Sequence, residues 1–116
     1  MVEQQDGGEA VVDVTEVAPA RPSALARAVT LYLDHLAVER GLAPNSMSAY
    51  RRDLARYLAW TASRGITEPD QVTETDISDF LLALRAGDAE QKPLAASSAG
   101  RTVVAVRGFH RFAARE

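Results

Sequence analysis

Gly41, Gly65 and Gly87 each stand directly after a stretch whose apolar residues recur at helical spacing, and this punctuation divides the chain into helices with little room for strands. The first segment runs from about Ser23, its N-cap, to Arg40, with Leu25, Val29, Leu33 and Leu36 on one face. The second follows Pro44 to about Arg64 and carries Met47, Tyr50, Leu54, Tyr57 and Leu58. The third opens at Thr73, where Thr73 and Asp76 stand at capping-box spacing, and carries Ile77, Phe80, Leu81 and Leu84. A polar loop over 88–95, broken by Pro93, leads to a fourth from about Ser97 to Glu116, with Val103, Val106, Phe109 or His110, and Ala113 toward a core. Gly108 lies inside it, at a cost of roughly 1 kcal/mol relative to Ala. The expected fold class is therefore all-α, a compact four-helix domain over residues 21–116.

Residues 1–20 are of another kind. They hold five acids, no base, no aromatic and two consecutive glycines, too little apolar surface to offset the entropy of ordering, so a disordered acidic tail is expected there. The whole chain carries a net charge of −3, but residues 21–116 hold all thirteen Lys and Arg against eleven Asp and Glu. The folded part is mildly basic. Its charges also sort by element: residues 41–64 have four arginines and one acid, 66–91 have seven acids and one arginine, and 92–115 have five bases and no acid. Such a field steers a polyanion toward one side of a molecule.

On the second helix, Asn45, Ser48, Ala49, Arg52 and Arg56 fall opposite the apolar residues, with Arg51 on the flank. On the fourth, Ser97, Arg101, Val104, Gly108, Arg111 and Arg115 do the same, with Arg107 beside them. Small polar residues permit close approach to a groove wall, and guanidinium forks suit phosphate oxygens or guanine edges. The alternative is that Arg51, Arg52 and Arg56 only solubilise their helix and pair with acids such as Asp53.

Catalysis finds no foothold. His35 and His110, the only histidines, are not at metal-ligand spacing, and both fit core or boundary positions better. No Gly-x-Ser-x-Gly turn and no glycine-rich phosphate loop occurs. Asp76 and Asp79 fit as charges near a helix N-terminus, and Tyr32, Tyr50 and Tyr57 fall on apolar stripes. No cofactor and no metal site are expected. Without cysteine there is neither disulfide nor cysteine-based zinc site. No apolar run approaches the roughly 20 residues of a membrane span, and no signal peptide is legible, so no membrane partner and a cytoplasmic location are expected.

Several of these residues together resemble a known family. The run Asn45-Ser46-x-x-Ala49-Tyr50-Arg51-Arg52-Asp53-Leu54 is the most specific part. It is joined by Tyr32-Leu33-x-x-Leu36, Glu39-Arg40-Gly41-Leu42, Thr73-x-x-Asp76, Ser97-Ser98-x-x-Arg101 and Ala105-Val106-Arg107. Over about residues 23–116 this resembles the N-terminal core-binding domain of tyrosine site-specific recombinases of the Xer type, XerD-like ones in particular. The resemblance implies a SAM-like four-helix domain, one half of a C-shaped clamp around a double-stranded recombination half-site. It implies DNA contact at Asn45, Ser46, Ser48, Arg51, Arg52, Ser97, Ser98, Arg101 and Arg107.

It further implies partner recombinase protomers in a tetrameric synapse, a septal DNA translocase as a candidate partner of the full-length protein, and a role in chromosome dimer resolution. The family's tyrosine nucleophile and its Arg, Lys and His partners belong to a C-terminal domain after the fourth helix. No catalytic residue is therefore assigned here, and Tyr50 is not the nucleophile. Gly108 and His110 depart from the family pattern, and the amphipathic pattern runs to Glu116 without a stop, as expected of one domain of a longer protein. The alternatives are a phage or mobile-element integrase domain and, in another class, a helical protein-interaction module.

Overall fold

The computed structural model describes residues 21–115; the tail expected over residues 1–20 lies outside them. Four α-helices follow in order: α1 (Ala24–Asp34), α2 (Pro44–Ser63), α3 (Glu74–Ala86) and α4 (Ala96–Arg115). A π-helical turn, His35–Glu39, widens the end of α1, and a 3-10 turn, Pro69–Gln71, precedes α3. No strand occurs among the described residues. No helix of the described residues is long and apolar enough to cross a membrane.

Local chemistry explains the boundaries. Ser23 caps α1 by accepting from the Ala26 N–H at 3.0 Å. Pro44 occupies the first turn of α2, where a missing N–H costs nothing. Thr73 and Asp76 form the expected reciprocal box at α3, with bonds of 3.1 and 2.9 Å. Gly87 ends α3 at φ 70°, and a Cβ there would lie 2.6 Å from the Pro93 nitrogen, so both conformation and space require glycine. The loop after it is a built turn. Asp88 Oδ1 accepts from the Glu90 and Gln91 N–H groups at 2.8 Å each, which holds its carboxyl below the usual range, and the Leu94 N–H returns to the Leu84 carbonyl at 2.9 Å.

The core takes residues from all four helices: Leu25, Val29, Tyr32, Leu36, Met47, Leu54, Tyr57, Ile77, Phe80, Leu84, Ala99, Val103, Val106 and Phe109. Five expected members differ: Leu33, Tyr50, Leu58 and Ala113 are only half-buried against the core, with Tyr32 taking the inner position beside Leu33, and Leu81 is exposed on the outer side of α3. Thr61, Thr102 and Ala105 are buried although their composition gives no such signal. Both threonine hydroxyls bond backbone carbonyls of their own helix, Leu58 at 3.0 Å and Ser98 at 3.2 Å, which makes their burial tolerable.

Gly108, read from sequence as part of the outer face of α4, instead lies against the hydroxyl of Tyr32. A Cβ at this position would meet the Tyr32 hydroxyl at 2.9 Å. The close crossing of α1 and α4 thus offsets the helix propensity lost at this position. Gly108→Ala is expected to gain less than the roughly 1 kcal/mol that propensity alone offers, and to recover that gain in a Tyr32→Phe background. Urea unfolding of the four proteins measures the coupling; equal gains in both backgrounds would refute it.

Candidate nucleic-acid interface

The first turns of α1, α2 and α4 have no acidic residue, whereas α3 begins with Glu74 and Asp76; of the three, α2 and α4 pack side by side. Uncompensated helix N-termini favour anions. Around these two turns stand Asn45, Ser46 and Ser48 on α2 and Ser97 and Ser98 on α4, all exposed except the half-buried Ser98. Their side chains are short enough for a polyanion to approach the backbone.

Where α2 and α4 pack together, an open groove of about 310 Å³ is lined by Ser46, Ala49, Tyr50, Asp53, Arg101, Val104 and Ala105. Ser46 and Arg101, 55 positions apart in the chain, thereby share one site. Arg51 and Arg52 are exposed on α2, Arg52 opposite the core and Arg51 on the flank away from α4. Among the described residues, none of Arg51, Arg52, Arg56 or Arg101 forms an ion pair. Asp53, the acid that could have neutralised its neighbours, instead accepts from the Thr102 hydroxyl at 3.2 Å and ties α2 to α4. Pairing of these arginines with Asp53 is thus not the arrangement found.

Other basic residues are engaged elsewhere. Arg107 grips Glu74 with both carboxylate oxygens at 3.0 and 2.9 Å, on the α3 side of α4 and away from the groove. Arg64 stacks on Trp60 at 4.8 Å and pairs with Asp79 at 3.0 Å. Arg56 reaches the Lys92 carbonyl at 3.4 Å and is half-buried beside the loop after α3. Of the nine residues expected to contact DNA, eight lie on the α2 and α4 surfaces away from the core, and Arg107 alone is held by a partner on α3.

The family model described as "Phage integrase, N-terminal SAM-like domain" matches residues 29–116. The chain belongs to this family. Tyrosine recombinase XerD of Mycobacterium tuberculosis is 55% identical over 87 residues, covering 73% of this chain and 28% of that protein. XerD of Mycobacterium leprae is 51% identical over the same shares, and tyrosine recombinase XerC of a Roseiflexus species is 38% identical over 84 residues, 72% of this chain and 25% of the relative. The SAM-like domain therefore spans about a quarter of the length of these relatives. No solved structure gives a significant match.

In this SAM-like domain α2 and α4 are joined by a second polar contact that the sequence did not indicate. Tyr57, fully buried, places its hydroxyl 2.7 Å from His110 Nε2. Burial pushes the Tyr57 hydroxyl well above its ordinary range, with Asp76 adding to the effect, and pushes His110 below 6.5 against the opposing charge of Glu74. Of the two stripe candidates, Phe109 takes the core position and His110 is half-buried at its edge, where burial favours the neutral ring.

Because the folded state resists protonation at His110 while the unfolded chain does not, the unfolded state binds more protons as pH falls below about 6.5. Stability should decline as pH drops from 6.5 toward the depressed folded value and level off below it. Thermal midpoints at pH 7.5 and 5 measure this: the parent should lose more on acidification than His110→Phe, and an identical loss in both would show that His110 is not the group responsible.

Proposed function

We propose that this chain is the DNA-binding half-clamp of a tyrosine recombinase, gripping a double-stranded half-site with α2 and α4. The reading rests above all on one observation: Ser46 of α2 and Arg101 of α4 line the same groove, and Arg101, like Arg51 and Arg52 elsewhere on the exposed surface of α2, has no ion pair among the described residues. Asn45, Ser48, Arg51 and Arg52 face the duplex from α2, and Ser97, Ser98 and Arg101 from α4. Arg107 joins them only by exchanging Glu74 for a phosphate.

The likeness to XerD proteins supports a parent whose catalytic residues lie outside this chain and which exchanges DNA strands site-specifically, with chromosome dimer resolution as its role and other recombinase protomers as partners. Titration of the chain with duplex DNA at several salt concentrations tests the reading. Affinity should fall with a log–log slope of about −0.9 per phosphate neutralised, roughly −3 to −5 for a few contacts. Absence of binding at every salt concentration would favour a helical protein-interaction module.

A further inference from the structure

A surface built only to hold phosphates needs donors and positive charge, since phosphate oxygens accept hydrogen bonds and repel carboxylates. The groove between α2 and α4 has a different composition. It offers the Arg101 fork and the Ser46 hydroxyl as donors, but also the carboxylate of Asp53 and, on its rim, the side chain of Val104, which is 65% exposed. An acceptor and an unpartnered apolar group beside a fork form the vocabulary that distinguishes base pairs in the major groove.

Asp53 is held for such a task. It is half-buried, and its Oδ1 lies 3.2 Å from Thr102 Oγ1, whose single proton it shares with the Ser98 carbonyl, also at 3.2 Å; Thr102 is itself 2% exposed. The carboxylate is thus fixed from the core side. No Lys or Arg pairs with it among the described residues, although Arg52 precedes it and Arg56 lies one turn on. Acceptor capacity therefore remains on the groove side. Facing phosphates, this charge would be repelled; facing an exocyclic amino group, it is satisfied, and cytosine N4 is the partner that carboxylates take in the major groove. Arg101, in the same groove, matches guanine O6 and N7, the other half of that base pair.

We propose that the α2/α4 groove reads a G·C pair by its base edges, with Asp53 as the specificity-determining acceptor and Arg101 as its donor counterpart, while Arg51 and Arg52 outside the groove hold the backbone. This rests on the DNA-binding reading of the same face and goes beyond it by dividing base readout from phosphate contact.

Selection of binding sequences from a random duplex library at low salt, with the 116-residue chain, tests the division. The parent should enrich cytosine at one position. Asp53→Asn keeps the shape and an oxygen for Thr102 but adds a donor, so the enrichment of cytosine at that position should be lost. A second measurement leaves the protein unchanged: replacing the selected cytosine by 2-pyrimidinone, which lacks the amino group, should weaken parent binding roughly tenfold.

An unaltered preference in Asp53→Asn, unchanged affinity for the 2-pyrimidinone duplex, or a parent that binds DNA with no preference at any position would each overturn base reading by Asp53 and leave DNA binding standing. A parent that binds no duplex at any salt concentration would overturn both.

Discussion

Replacing Arg101 by Ala should weaken binding to half-site DNA by about 1 to 3 kcal/mol, roughly 5- to 150-fold, through loss of a base-edge contact, and Arg52→Ala should weaken binding to all sequences alike through loss of a phosphate contact. Neither arginine is in an ion pair among the described residues, so truncation removes an interaction with DNA without freeing a buried acid. The salt slope should become shallower by about one unit for each side chain whose main contact is a phosphate. Arg107→Ala should cost less, because its Nη1 already donates to Glu74 at 2.9 Å. Arg85, exposed on the acidic α3, should matter little. Fluorescence anisotropy with a labelled duplex measures all four. If Arg52→Ala and Arg101→Ala bound like the parent while Arg85→Ala lost binding, the DNA face would have to be reassigned to α3.

The largest effect on stability is expected at Phe80. Its ring is 1% exposed and packs edge-on against Tyr57 at 5.2 Å between centroids and against Trp60 at 5.3 Å, so it joins α3 to α2. Phe80→Ala should cost about 3 to 5 kcal/mol through lost burial and a residual cavity, a large part of the roughly 5 to 15 kcal/mol that holds a domain together. The midpoint of thermal unfolding should fall by well over ~10 °C. Leu81→Ala, one residue on but exposed, should cost little. Comparable losses at both positions would mean that the face of α3 turned to the core had been misassigned. DNA affinity of Phe80→Ala should fall only in proportion to the fraction unfolded, which separates packing from contact.

The four helices were legible because their signals are local. Apolar spacing, the box at Thr73 and Asp76, Pro44 and the glycine at position 87 act within one or two turns, where sequence distance is spatial distance. The polar sides of α2 and α4 were legible for the same reason: at 100° per residue, residues opposite the buried stripe must face outward. The errors were at the edges of stripes. Leu81 and Leu33 sit at angles that neighbouring helices leave uncovered, and Tyr32 reaches inward because α4 offers the bare backbone of Gly108 beneath its hydroxyl.

Sequence alone determined the helix number, their boundaries to within a few residues and the side of each that carries arginine, all consequences of periodicity and capping. Which arginines remain available was decided only by tertiary packing. Arg64, Arg101 and Arg107 are indistinguishable as residue types, yet one is stacked on Trp60, one opens into the groove and one is clasped by Glu74, 33 positions earlier. The same holds for Asp53 and His110. Whether an acid neutralises its neighbouring arginines depends on what the crossing helix presents, and here it presents the Thr102 hydroxyl to Asp53; whether a histidine is charged depends on how far packing buries it, and burial holds His110 below its ordinary range.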